Sequence, residues 1–350
     1  MIRFRSKTTR SRTRHDRLPS ARGAGPVTAR AVALGMVLLV MMTASCGSEN
    51  APVTAATVTA KQLTFLDEYA VKAEFPEGGA YDKVAGVFYF GSLKDGSVHR
   101  LDAETGQDIA LFKETELGTW WTLGMDVDLT RNRLWVCAMD DKKPGPRAGF
   151  VWVFDMKTGT RIANHALSAA AKDATCTDVA VTKDGVGYVV DREQPNVYRV
   201  DFDTGAALFA SDPALKGTFA GQNAAVILPD ESALLSVVYD PPSLVRVDLS
   251  SAAVKKVTIT GAFSDDKSLL AGADGMAYSD GAVHVAFSAK VFRLQPASGK
   301  WTAATATATD VKEGVTDVIA TPGGLYALNG QAVRFALSQT PDPFVLKRLK

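Results

Sequence analysis

The sequence predicts an all-β protein, a six-bladed β-propeller of four-stranded blades. Three observations support this fold class. A polar residue followed by an apolar strand recurs along the chain, two further strand-like segments follow it each time, and the spacing stays between 43 and 52 residues. Repeats of this length are typical of propellers. The six polar residues, called the ring residues, are Glu77, Asp126, Asp178, Asn223, Asp274 and Asp317.

Within each repeat, alternating Val, Tyr and Phe residues indicate strands, and Gly-containing turns such as 94–96 separate them. The predicted second strands are 87–91, 133–137, 187–190, 233–238, 282–287 and 324–328, and the predicted third strands are 97–102, 150–155, 196–201, 243–248, 291–294 and 332–335. Either 63–71 or 344–349 is expected to supply the outer strand that closes the ring. A barrel or a sandwich also accounts for the number of strands, but not for the register of the ring residues.

Charge is distributed unevenly along the chain. Residues 1–45 contain nine Lys and Arg residues and one acid, which leaves 30 basic and 37 acidic residues in the remainder. The remainder is therefore mildly acidic, which argues against nucleic acid as a partner. An acidic surface is compatible with the binding of a cation.

The first 45 residues have the pattern of a secretory signal peptide. A basic segment precedes an apolar run over 31–42, and small residues follow. The apolar run is about a dozen residues long, below the roughly 20 that a membrane-spanning helix needs. The pattern therefore predicts export.

Cys46 follows the small residues, an arrangement similar to the lipobox of bacterial lipoproteins, although Thr43 stands where Leu is usual. The resemblance implies that Cys46 is lipidated and holds the exported protein at the bacterial cell membrane. We therefore predict a signal peptide over 1–45, a tether over 46–62 and a propeller over 63–350. Plain secretion, or an uncleaved anchor with Cys46 incidental, is the alternative.

Two further cysteines, Cys137 and Cys176, lie in neighbouring repeats. Cys137 ends a predicted second strand, and Cys176 comes just before the first strand of the next repeat. These points lie on the same face of neighbouring propeller blades, and an oxidising compartment favours disulfides. A disulfide bond is one reading of this pair, and two buried free thiols are the other.

The ring residues are expected to surround one mouth of a central channel, because the first strand of each propeller blade lines that channel. Together they carry a formal charge of −5. Confined like charges raise one another's pKa or require a counter-cation. Carboxylate and amide oxygens suit Ca²⁺ before other divalent cations, and the absence of His and Cys from the ring disfavours zinc.

A structural role is the alternative for ring residues. Asp and Asn are common where a loop leads into a strand, because their side chains cap local backbone. Asp126 and Asp317 are the leading candidates for that role.

The first repeat begins with Pro76-Glu77-Gly78, which resembles the start of the senescence-marker-protein/gluconolactonase family of propellers. Ala273-Asp274-Gly275-Met276-Ala277 resembles the Asp-Gly-Met segment of the fifth blade in that family. Gln222-Asn223-Ala224-Ala225 keeps the Asn of the fourth-blade segment but lacks its Gly. Asp178 stands where an Asn is more usual in the third blade.

The resemblance implies that Glu77, Asn223 and Asp274 bind one divalent cation, that Asp274 is also the general base, and that Asp178 is a further ligand or a substrate-side group. It further implies hydrolysis of a small-molecule lactone or ester with Ca²⁺ as cofactor. The alternative is a non-catalytic propeller that binds a ligand or a protein partner. Trp120 and Trp121, in the loop leading into the second repeat, and Trp152 are candidates for lining a ligand mouth, although ordinary packing between blades explains them equally.

Overall fold

The computed structural model describes residues 62–112, 120–140, 147–261, 263 and 272–350. The predicted signal peptide, Cys46 and all but the last residue of the predicted tether lie outside the described residues. None of the helices in the described part of the chain is long and apolar enough to cross a bilayer.

Strands account for 55% of the residues and helices for 4%, which confirms the predicted all-β class. The described chain begins with a short strand, β1 (Glu68–Ala70). Four antiparallel four-stranded sheets then follow in sequence order. The first sheet contains β2 (Gly79–Asp82), β3 (Val87–Phe90), β4 (Val98–Asp102) and β5 (Asp108–Phe112). The second contains β6 (Trp120–Asp128), β7 (Arg133–Asp140), β8 (Ala148–Asp155) and β9 (Arg161–Ala166).

The next two sheets repeat this arrangement. The third contains β10 (Asp178–Val181), β11 (Gly187–Val190), β12 (Asn196–Asp201) and β13 (Gly205–Ser211). The fourth contains β14 (Gln222–Ile227), β15 (Ala233–Val238), β16 (Ser243–Asp248) and β17 (Val254–Lys256). Short 3-10 helices, Leu167–Ala169 and Pro213–Leu215, lie in the connections between sheets.

The remaining strands form one continuous sheet of seven. They are β18 (Thr258–Gly261), β19 (Met276–Ser279), β20 (Ala282–Pro296), β21 (Ala303–Thr321), β22 (Gly324–Asn329) and β23 (Val345–Arg348), with β1 at the outer edge. The long strand β21 pairs with β20 through 304–310 and with β22 through 315–321. One strand therefore joins what would otherwise be two sheets.

The innermost strands close on themselves. In the described chain β2 contacts β6, β6 contacts β10, β10 contacts β14, β14 contacts β19, β19 contacts β21, and β21 returns to β2. Apolar clusters fill the spaces between successive sheets. Between the second and third sheets, for example, Trp135 and Val151 pack with Val179 and Tyr198. Alternation of side chains across each strand places these residues between the sheets.

A disulfide bond joins Cys137 in β7 to Cys176, which lies just before β10, with 5.2 Å between the two Cα atoms. The bond therefore connects the second sheet to the segment that leads into the third. Both residues are fully buried.

The last repeat differs from the sequence prediction in two respects. The predicted third strand over 332–335 is the short helix α1 (Ala332–Ala336), and β23 takes the place of that strand. A short apolar run such as this one does not distinguish strand from helix. Both terminal segments join the last sheet, because β1 pairs with β23. The predicted segment 63–71 therefore supplies the outer strand, β1, and the segment 344–349 supplies the strand next to it.

Candidate functional site

All six ring residues line one cavity of about 360 Å³ between the innermost strands, called the axial cavity. Each lies within or close to the start of an innermost strand, so the closed arrangement of these strands brings the side chains together. They nevertheless divide into two groups of three according to their hydrogen bonds.

In the first group, each carboxylate links its own strand to the next one around the ring. Asp126 accepts hydrogen bonds from the backbone N–H of Val127 at 2.7 Å and of Val181, in β10, at 2.8 Å. Asp178 accepts from Val179 and from Ala225, in β14, both at 2.8 Å.

Asp317 completes this group at the junction between the two ends of the chain. It accepts hydrogen bonds from the N–H of Val318 at 2.7 Å and of Gly79, in β2, at 2.8 Å. Its carboxylate is closely packed, because a Cβ atom on Gly275 would lie 2.0 Å from Asp317 Oδ1. The geometry gives Asp126, Asp178 and Asp317 the same bridging role. The role of Asp178 as a cation ligand stays a prediction.

Burial governs the ionisation of these bridging carboxylates. It raises the pKa of Asp126 to about 6 and that of Asp317 to about 8, against the lowering effect of the backbone amides. Burial also raises the pKa of Asp178 well above its ordinary value. Desolvation therefore outweighs the amide hydrogen bonds at all three positions.

The second group contains Glu77, Asn223 and Asp274. The Asn223 Nδ2 group donates a hydrogen bond to Asp274 Oδ1. Two oxygen atoms of this group, Glu77 Oε2 and Asn223 Oδ1, are buried and have no hydrogen-bond partner within the described part of the chain. Buried polar atoms are usually hydrogen-bonded, so these two oxygens are available to a ligand.

The electrostatics of this group are those of two carboxylates confined together. Burial, followed by the negative charges of Asp274 and Asp317, raises the pKa of Glu77 well above its ordinary value. Burial also raises the pKa of Asp274 to about 7, although the positive charge of Arg192 and the hydrogen bond from Asn223 lower it. Among the described residues, no three His, Cys, Asp or Glu side chains form a metal-binding group. The second group contains two carboxylates and one amide.

Glu77, Asn223 and Asp274 also line a second cavity of about 570 Å³, called the outer cavity. These three residues and Thr316 are shared by both cavities, so they separate the interior of the ring from the space outside it. A small ligand in the outer cavity would have access to them.

The walls of the outer cavity are aromatic and basic. Trp121 packs edge-on against Phe335 of helix α1, with ring centroids 5.9 Å apart. Arg147 stacks over the Trp121 ring at 4.6 Å and pairs with Glu193 at 3.1 Å. The helix that replaced the predicted third strand therefore forms part of the cavity wall.

Arg192 and Tyr239 also line this cavity, and sequence reasoning did not identify either of them. The Arg192 guanidinium lies 5.7 Å from the centre of the Tyr239 ring. Burial, followed by the charge of Asp274, raises the pKa of Tyr239 to about 12. Both residues lie in connections just after second strands, outside the register of the ring residues, so the repeat pattern provides no signal for them.

No protein-family model matches the sequence, and no curated protein sequence matches it. Solved structures do match. Mala s 1, the major allergen of Malassezia sympodialis, aligns with a TM-score of 0.66 and 18% identity over 82% of this chain and 97% of that chain. The PQQ-bound aldose sugar dehydrogenase from Streptomyces coelicolor aligns with a TM-score of 0.57 and 15% identity over 83% of this chain and 98% of that chain.

A gluconolactonase from Xanthomonas campestris aligns with a TM-score of 0.55 and 15% identity over 80% of this chain and 88% of that chain. Neighbours of this kind are β-propellers, and the chain has their fold. At identities this low the likeness defines the fold class alone.

Proposed function

We propose that this protein is a six-bladed propeller that binds a divalent cation, Ca²⁺ first, through Glu77, Asn223 and Asp274 and hydrolyses a small lactone or ester. The observation that carries the proposal is the division of the ring. Three ring residues are engaged by backbone amides, whereas these three lie at the boundary with the outer cavity and include two buried oxygens without a partner among the described residues.

The donor set suits a hard cation. Two carboxylates and one amide oxygen are typical Ca²⁺ ligands in proteins. The hydrogen bond from Asn223 Nδ2 to Asp274 leaves Asn223 Oδ1 as the free acceptor of that side chain. A cation would also offset the burial and the nearby negative charges that raise the pKa of Glu77.

A bound divalent cation supplies Lewis-acid polarisation of the substrate carbonyl and lowers the pKa of a nearby water. The residues of the chain supply the rest. Asp274 is oriented by Asn223, and its carboxylate is the general base. Asp274 accepts a proton from the attacking water while the oxygen of that water bonds to the carbonyl carbon. The ring C–O bond then breaks, and the leaving alkoxide takes up the proton to give a hydroxy acid.

Two further features support this reading. One structural neighbour, the protein from Xanthomonas campestris, is a gluconolactonase, an enzyme that acts on a lactone. The outer cavity, at about 570 Å³, has a volume typical of sites for small molecules. Export and lipid anchoring through Cys46 belong to the same proposal and rest on the sequence alone.

A non-catalytic propeller that binds a ligand or a protein partner is the second candidate. The bridging role of Asp126, Asp178 and Asp317 supports this second candidate, because these acids connect neighbouring strands. Under this alternative any cation would be structural.

Calcium titration by calorimetry tests the site. We expect Glu77→Gln and Asp274→Asn to weaken Ca²⁺ binding on the order of 100-fold, because affinity depends on ligand charge. Asp126→Asn removes a charge from the same ring and is the matched control, with affinity expected close to wild type. Unchanged affinity in both Glu77→Gln and Asp274→Asn would show that the assignment is wrong. Binding without turnover of a lactone panel would favour the second candidate.

A further inference from the structure

Arg192 is held at the wall of the outer cavity by a rigid turn. It follows Asp191, a fully buried carboxylate. Asp191 accepts hydrogen bonds from the backbone N–H of Thr175 at 3.0 Å and from the hydroxyl of Tyr198 at 2.9 Å. The Arg192 carbonyl oxygen accepts a hydrogen bond from the N–H of Gly221 at 2.6 Å. Because the backbone is held on both sides, the position of the side chain is constrained before any ligand arrives.

The guanidinium itself is not paired. It lies over Tyr239, half-buried, and makes no hydrogen bond or ion pair within the described residues. Arg147, on the same wall, pairs with Glu193. A guanidinium presents five N–H donors in a planar fork and no acceptor. A half-buried guanidinium without an acceptor favours a planar anion.

The floor and the wall of the outer cavity carry opposite charges. Glu77 and Asp274 form the floor, and Arg192 lies on the wall of the same cavity. The guanidinium nevertheless forms no ion pair with either carboxylate. Lys216, an exposed residue, also lines the cavity and adds to its positive charge. A ligand with an anionic end and an electrophilic carbonyl would match both charges.

We infer that Arg192 binds a carboxylate of the ligand, so that the substrate is an acidic lactone or ester. The identification of this substrate class rests on the proposed function. Arginine pairs with carboxylates through two parallel hydrogen bonds, which fix orientation as well as position. With the carboxylate at Arg192, the lactone or ester carbonyl is directed toward Glu77, Asn223 and Asp274. Arg192 is therefore a specificity-determining residue that binds the end of the substrate away from the reacting carbonyl.

The test compares two lactones that differ in one group. D-Glucaro-1,4-lactone carries a carboxylate where D-glucono-1,4-lactone carries a hydroxymethyl group. Binding of each is measured by calorimetry with the full folded protein in EGTA, so that turnover does not interfere. The variants are Arg192→Gln, Arg192→Lys and the control Arg199→Gln, which removes an arginine that pairs with Asp201 at 3.8 Å on β12. Circular dichroism establishes that each variant is folded.

We expect wild type to prefer the carboxylate lactone by roughly 10- to 100-fold, the effect of a charge-assisted pair. Arg192→Gln should lose this preference, Arg192→Lys should keep part of it, and Arg199→Gln should keep all of it. Absence of the preference in wild type, including no binding of either lactone, would overturn the inference. Retention of the preference in Arg192→Gln, or an equal loss of affinity for both lactones in that variant, would also overturn it. Because calcium is absent from this assay, a failure here is distinguishable from a failure of the calcium titration with the Glu77 and Asp274 variants.

Discussion

The division of the ring into two groups predicts different effects of the same kind of substitution on stability. Asp317→Asn is the informative change, because Asp317 joins β21 to β2 and so connects the end of the described chain to its beginning. Asparagine keeps one acceptor oxygen but turns an NH₂ group toward the second backbone amide. Either the N–H of Val318 or that of Gly79 then loses its acceptor.

The size of the effect follows from the burial of this junction. Asp317 is 6% exposed and Val318 is 2% exposed, so solvent does not replace the lost acceptor. One buried N–H without an acceptor costs about 1–3 kcal/mol. We expect the free energy of unfolding to fall by that amount in Asp317→Asn. Asp317→Ala removes both acceptors, and the expected loss is about 2–6 kcal/mol on the same basis.

Glu77→Gln should behave differently, because Glu77 Oε2 has no hydrogen-bond partner within the described residues and no backbone amide there loses an acceptor. Burial and nearby negative charges raise the pKa of Glu77 in the folded state. A carboxyl group with a raised pKa contributes stability that is present below its ordinary pKa and is lost as pH rises through the folded-state value. Glutamine does not ionise and avoids this loss. The cation-free Glu77→Gln protein should therefore be at least as stable as wild type at pH 8.

Urea denaturation in EGTA at pH 8 measures both effects. Asp203→Asn is the matched control, because Asp203 is exposed and its side chain makes no hydrogen bond within the described residues. Wild-type stability in Asp317→Asn would refute the bridging role. A loss in Glu77→Gln as large as that in Asp317→Asn would refute the division of the ring into two groups.

Two further predictions concern the cation-free protein and the disulfide. Because burial raises the pKa of Asp274 from 3.8 to about 7, cation-free wild type should lose stability as pH rises from about 4 through about 7, and Ca²⁺ should restore it at pH 8. Urea midpoints across this range with and without Ca²⁺ test this, and a flat profile in EGTA would contradict it. Cys137→Ala/Cys176→Ala should lose about 4 kcal/mol, the chain-entropy value for a separation of 39 residues. The check is that dithiothreitol destabilises wild type but leaves the double variant unchanged; equal stability of wild type with and without reductant would count against the bond.

Much of the fold could be predicted from the sequence because its signals are local and repeated. Alternation of Val, Tyr and Phe indicated strands that the structure contains, and Gly-containing turns placed the hairpins between them. The run over 332–335 was misread because four residues with three apolar positions fit a strand and a helical turn equally well. Its helical form is decided by tertiary contacts, in which Phe335 packs against Trp121 and Phe75.

The sequence by itself determined the all-β class, the period of the repeat and the positions of the six ring residues. Only the tertiary structure decided which of them are held by backbone amides and which face the outer cavity. Asp178 and Asp274 are the same residue type in the same register, but only Asp178 is held by backbone amides, one from its own strand and one from a neighbouring strand. Arg192 likewise reaches the site from a connection that carries no repeat signal. Contacts of these kinds form between segments that are far apart in the sequence, so a local sequence pattern does not predict them.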